Sequence, residues 1–178
     1  MGDGTNDEYP YIFDQTSPDL GSELVTNGDF SNGTTDWSSP DYNSTLSVVD
    51  GQMKIVNTIS LGRVRQAITT VVGETYLVRA TVTNIDSSTG IQLKLSNASN
   101  LDGAFFNSAF NTTTNPVTIT HAFVATATTT YIGSSQGSSV GQSGLLDNVS
   151  VKLVNGNLAT MTNMVEGNIT NQYPLTKI

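Results

Sequence analysis

From residue 45 onward apolar residues alternate with polar ones. This period of two constrains the chain more than any other feature, because it is what a strand with one face in a core and the other in water requires. Leu46 and Val48 alternate with Thr45 and Ser47, and Met53 and Ile55 alternate with Gln52, Lys54 and Val56. The Asp50-Gly51 pair between these runs predicts a tight hairpin, since a type I′ turn needs positive φ at both central positions. Val64, Gln66 and Ile68 then alternate with Arg63 and Arg65; Val72-Gly73-Glu74 turns the chain; and Tyr76, Val78, Ala80 and Val82 share a face. Ile91, Leu93 and Leu95 alternate with Gln92, Lys94 and Ser96, while Val117, Ile119 and Phe123 share one parity and Val149, Val151 and Leu153 another. No useful length carries a helical period. Strands of this spacing with turn residues between them predict an all-β antiparallel sandwich or barrel.

The stretch ELVTNGDFSNGTTDW, residues 23–37, holds the chain's single Trp at the end of a run rich in Asn, Gly, Asp and Thr. Leu24 and Val25 read as a first strand and Asn27-Gly28 as a turn or bulge. Phe30 and Trp37 then enter the core from either side of the loop at 31–36. The competing reading of Trp37 is an exposed platform for the apolar face of a sugar ring; the core reading is preferred. The ends differ from this middle. Residues 1–22 and 155–178 lack alternation, yet each carries a Tyr-Pro beside apolar residues: Tyr9-Pro10 with Tyr11 and Phe13, and Tyr173-Pro174 with Leu175. They read as an N-terminal arm and a C-terminal arm or linker around a domain at 23–154. Arms with such side chains dock on their own sandwich, dock on a neighbour, or stay mobile; docking makes Tyr9, Tyr11, Phe13, Tyr173 and Leu175 the expected assembly contacts.

Charge narrows the partners. Among 178 residues, 15 are acidic and 7 basic, a formal net charge of -8. A surface of that sign repels phosphate backbones and anionic headgroups, so nucleic acid is not expected as a partner. No apolar run approaches the ~20 residues of a spanning helix, so membrane insertion is not expected either. The absence of cysteine excludes disulfides, thiolate zinc sites and cysteine nucleophiles.

Catalytic signatures are weak. His121, the single histidine, falls in phase with Val117, Ile119 and Phe123, which reads as a half-buried core imidazole rather than a ligand or base. Gly133-Ser134-Ser135-Gln136-Gly137 has serines without the nucleophile-elbow spacing. The carboxylates sit mostly in arms and turns, where no facing pair for glycoside hydrolysis is evident. The expectation is a non-enzyme. A sugar site would combine an aromatic platform with amide and guanidinium groups. Arg63, Arg65, Arg79, Gln92 and Lys94 on outward parity, with Tyr42 and Phe105-Phe106 in loops, are the candidates, and Tyr42, Arg65, Arg79 and Lys94 are singled out as glycan contacts. The same residues could equally form a solvated face. The segment GAFFNSAFNTTTN reads as a loop folding over one end of the sandwich.

Three motifs occur in order: NGDF followed by Trp37; Gln66, Ile68, Gly73 and Tyr76 in the pattern Q-x-I-x-x-x-x-G-x-x-Y; and a closing LDNVSVK, Leu146 to Lys152. Over residues 23–154 this resembles the carbohydrate-binding-module superfamily of jelly rolls. The resemblance implies a jelly-roll β-sandwich, and a structural calcium between first and last strands, at Asp29, Ser31 and Asp147. Serine at 31, where the family carries an acid, weakens that calcium expectation. The flanking GDG…DQTSPDLGS and ATMTNMVEGNIT segments resemble surface proteins of bacteriophage virions and tail fibres. The resemblances together imply a non-enzymatic surface module of a virion or extracellular fibre, joined through its arms to copies of itself or to other assembly proteins by strand addition. The alternative is a module that recognises a cell-surface or extracellular polysaccharide. Either role places the protein outside cells or on a virion surface.

Overall fold

The computed structural model describes residues 20–39, 44–86, 89–137 and 139–155. Within them the compact unit is Leu20–Asn155. Tyr9, Tyr11, Phe13, Tyr42, Tyr173 and Leu175 lie outside the described residues. Ten strands follow in order: β1 Leu20–Glu23, β2 Ser44–Val49, β3 Gln52–Asn57, β4 Arg63–Thr69, β5 Thr75–Asn84, β6 Ile91–Ser96, β7 Phe106–Asn107, β8 Val117–Val124, β9 Thr129–Gln136 and β10 Ser143–Val154. They form two antiparallel sheets, one ordered β2-β3-β10-β5-β8 with β1 also on β10, the other β4-β9-β6-β7.

The alternation read from the sequence is the alternation of burial in the inner strands, while on the edge strand β8 Val117, expected on the core face, is exposed. Met53 and Ile55, Val64 and Ile68, Val78 to Val82 at every second residue, and Ile91 to Leu95 likewise all face the core. Asp50 and Gly51 have φ of 51° and 77°, the two positive values of the predicted hairpin turn. In β10 the phase slips: Leu146 and then Val149 and Val151 are buried, because the register shifts between Asp147 and Ser150, where Asn148 adopts a φ of 49°. This 12-residue strand pairs with β5 on one side and with β3, then β1, on the other.

The opening stretch folds as a plug. Phe30 and Trp37 are 1% and 6% exposed, with ring centroids 5.3 Å apart. Asn27 explains why so polar a loop is ordered. Its amide nitrogen donates to the Gly33 and Thr35 carbonyls, its side-chain oxygen accepts from the Asn32 N–H, and its own carbonyl accepts from the Trp37 indole at 3.0 Å. The first strand precedes the one read from the sequence. Leu24 keeps one ladder bond, to the Val151 carbonyl, but the Glu23 carboxylate takes the N–H groups of Leu24, Val25 and Val151 and the Ser150 hydroxyl. A carboxylate with four donors replaces the ladder there and fixes the bulge.

The Phe-rich segment, read from the sequence as a loop over one end of the sandwich, instead contributes the short edge strand β7 and sets its rings against β8 at the edge of the other sheet. Phe106 stacks on His121 at 3.7 Å, and Phe105 tilts against Phe123 at 5.6 Å. His121 is half-buried, and burial pushes its pKa below the ordinary 6.5.

Candidate binding site

The outward positions of the second sheet form three rows across its strands. Register places Arg63, Ser135 and Gln92 in one, Arg65, Gly133, Lys94 and Asn107 in the next, and Ala67, Tyr131 and Ser96 in the third. Arg65 and Lys94 are therefore two strand spacings apart, roughly 10 Å. Gly133 between them leaves a floor of bare backbone, and a Cβ there would lie 1.9 Å from the Val64 carbonyl oxygen. The Arg65 guanidinium lies 5.0 Å from the Tyr131 ring centroid, within cation–π range. Gln92 donates to the Ser135 hydroxyl at 3.1 Å.

One wall of this face is the turn at 97–103. Ser96 donates to the Asp102 carbonyl and accepts from the Ala98 N–H, tying the turn to β6. Leu101 in the turn is fully buried with a φ of 60°, yet stands outside the cluster that fills the space between the sheets. Arg63 reaches the same turn, pairing with Asp102 at 2.7 Å and donating to the Asn100 carbonyl. Among the described residues Arg65 and Lys94 have no such ion pair. Burial, and secondarily the charge of Arg63, hold the Lys94 pKa below its ordinary value, with Asp102 acting in the opposite direction. The Nε atoms of Arg63 and Arg65 are buried without a hydrogen-bond partner.

Of the residues singled out for glycan contact, the structure brings together Arg65 and Lys94. Arg79 is not with them: it sits on β5, opposite Thr120 and Ser150, on the outer face of the other sheet. Outward parity alone cannot tell the two sheets of a sandwich apart. There Arg79 lines an open groove of about 640 Å³ with Glu23, Asp29, Thr81, Thr118 and Asn148. Tyr131 escaped sequence reasoning altogether, although the aromatic in TTTYIG, two residues before a glycine, was a usable signal.

The calcium residues have other engagements. Asp29 accepts from the N–H and hydroxyl of Ser31, which lower its pKa in that order. Asp147 accepts from the backbone and side chain of Asn148 and from Gln52. Among the described residues no group of three or more His, Cys, Asp or Glu is placed to hold a metal ion. A calcium there would have to draw most of its six to eight oxygens from backbone carbonyls and hydroxyls rather than carboxylates.

No protein-family model and no curated protein matches the chain. Solved structures do. One described as CBM4 is 19% identical with a TM-score of 0.58, the match covering 72% of this chain and 99% of that one. The CBM22-1 xylan-binding domain from Paenibacillus barcinonensis Xyn10C is 14% identical with a TM-score of 0.55, covering 79% of this chain and 98% of that one. The enzymatically active domain of tailspike protein 4 from bacteriophage CBA120 is 15% identical with a TM-score of 0.53, covering 74% of this chain and 21% of that one. At these identities the likeness establishes the fold: an all-β jelly-roll sandwich of the kind found in carbohydrate-binding modules.

Proposed function

We propose that this chain is a non-catalytic glycan-binding module, and that a sugar chain lies along the outer face of β4, β9, β6 and β7. The observation that carries the reading is the convergence of Tyr131, Arg65, Gln92 and Lys94 on one face. Tyr131 is the only aromatic at an outward position of these four strands. Sugar rings present apolar C–H faces to aromatic rings, and their hydroxyls bond to amide and charged groups around them. The likeness to modules with such names, including a xylan-binding domain, supports the same reading. The role as an assembly module draws support from the tailspike likeness, but its contacts fall in the arms, outside the described residues, so the glycan reading leads.

Affinity electrophoresis through gels containing a panel of polysaccharides tests this. Tyr131→Ala and Arg65→Ala should each weaken binding about tenfold, the size of one good stacking or charge-assisted contact. Arg79→Ala, on the other sheet, should leave mobility unchanged. Retained binding in the first two variants, or loss in the third, would place the site elsewhere.

A further inference from the structure

We infer that the ligand of this face is anionic, a polysaccharide bearing uronate carboxylates rather than a neutral one. This rests on the glycan reading above and adds the charge of the ligand. The chain as a whole has 15 acidic residues against 7 basic, yet the strands β4, β6, β7 and β9 contain Arg63, Arg65 and Lys94 and no acidic residue. All three cations occupy outward rows. A sheet whose charge runs so strongly against the composition of its own chain is complementary to an anion.

The cations are also unequally satisfied. Arg63 is neutralised by Asp102. Arg65 and Lys94 flank the bare floor at Gly133 without an ion pair among the described residues. The buried Nε atoms of Arg63 and Arg65 both lack an acceptor, so what separates the two arginines is that Arg63 alone has a carboxylate partner among the described residues. A carboxylate fits that deficit, because the guanidinium presents its N–H groups as a fork that two carboxylate oxygens accept together. The same anion would stabilise the charged form of Lys94, which burial and Arg63 now disfavour. A neutral sugar hydroxyl could accept one hydrogen bond but would leave both charges uncompensated.

Titration calorimetry of the full chain with uronate polymers tests the inference, using polygalacturonate, alginate and a glucuronate-substituted xylan. Each is compared with its carboxyl-methyl-esterified form, which keeps the backbone and removes the charge. At least one acid form should bind about tenfold or more tightly than its ester. Arg65→Gln and Lys94→Gln should erase most of that difference while the melting temperature is retained. Equal affinity for acid and ester, or binding confined to neutral polysaccharides, overturns the anionic ligand and leaves the glycan function standing. Failure of every acid, ester and neutral polysaccharide to bind removes both. Single-stranded DNA binding as tightly as any uronate would make the face a general polyanion surface and likewise overturn the inference.

Discussion

Gln66 is a polar residue facing inward on β4, 6% exposed, and it pins the plug loop to the second sheet. Its side-chain oxygen accepts from the Thr26 N–H at 2.8 Å, and its nitrogen donates to the Thr26 carbonyl at 2.8 Å and the Asp36 carbonyl at 3.3 Å. Gln66→Leu keeps the approximate volume and removes all three bonds. A typical hydrogen bond contributes about 1 kcal/mol net. The 3.3 Å contact is the weakest of the three, and Thr26 and Asp36 are exposed enough for water to replace part of the loss. The expected destabilisation is therefore about 2–3 kcal/mol. With a urea m-value of roughly 2 kcal/mol per M, the midpoint should fall by about 1–1.5 M. Trp37 is the only tryptophan and sits within the loop that Gln66 holds, so its fluorescence reports that loop directly, while far-UV circular dichroism reports the sheets. The fluorescence midpoint should fall at least as far as the dichroism midpoint. A Gln66→Leu midpoint within about 0.3 M of the parent by both probes would refute the claim that this side chain anchors the plug.

Two further outcomes follow from the packing. A Cβ at Gly28 would lie 2.0 Å from the Val149 carbonyl oxygen, while the Val149 N–H donates to the Gly28 carbonyl at 2.9 Å, so neither backbone can retreat without breaking their own bond. Gly28→Ala should destabilise by about 2–4 kcal/mol and lower the melting temperature by roughly 10 °C in calorimetry, and a melt within about 2 °C of the parent would contradict the tight approach. His121 has its folded-state pKa below 6.5, so the unfolded chain takes up the proton first; stability is unaffected well above that value and falls as pH drops through the window beneath it. His121→Phe, which can retain stacking on Phe106, should flatten the decline in urea midpoint between about pH 7 and pH 5, and an unchanged decline would assign it to other groups.

The sequence made most of the sandwich legible because seven segments put apolar side chains at every second position, and burial follows them in all but the edge strands, where Leu46, Val48 and Ile119 are only partly buried and Val117 is exposed. It hid β9 for the same reason. The inward positions Thr130, Ser134 and Gln136 are polar, so TTYIGSSQ shows no apolar alternation. That strand lies inside the second sheet and carries Tyr131, so missing it meant missing the middle of the proposed face. The motif at Gln66, Ile68, Gly73 and Tyr76 was visible as a pattern, but its physical content needed coordinates. Gln66 anchors the plug, Ile68 fills the core, Gly73 turns at a φ of 90°, and the Tyr76 hydroxyl accepts the Val71 N–H at 2.8 Å. The slip in β10 was equally invisible, since nothing in LDNVSVK marks which residue leaves the ladder.

The two outer faces differ in what their polar groups are already doing, and that difference favours the second sheet over the larger groove as the proposed site. The groove on the first sheet, about 640 Å³, contains no aromatic ring in its lining, and its two carboxylates are committed: Glu23 to four donors that hold β1 on the bulged strand, Asp29 to Ser31 in the plug loop. Those groups keep register, and a ligand that recruited them would have to compete with the fold. On the second sheet the register is held by backbone ladders between short strands, which leaves Tyr131, Arg65 and Lys94 with no structural duty in the ladder itself. The Arg63–Asp102 pair ties the neighbouring turn to this sheet, and Arg65 lies against the Tyr131 ring. A face held in this way loses less side-chain freedom on binding than a mobile one, which favours the proposed polysaccharide contact.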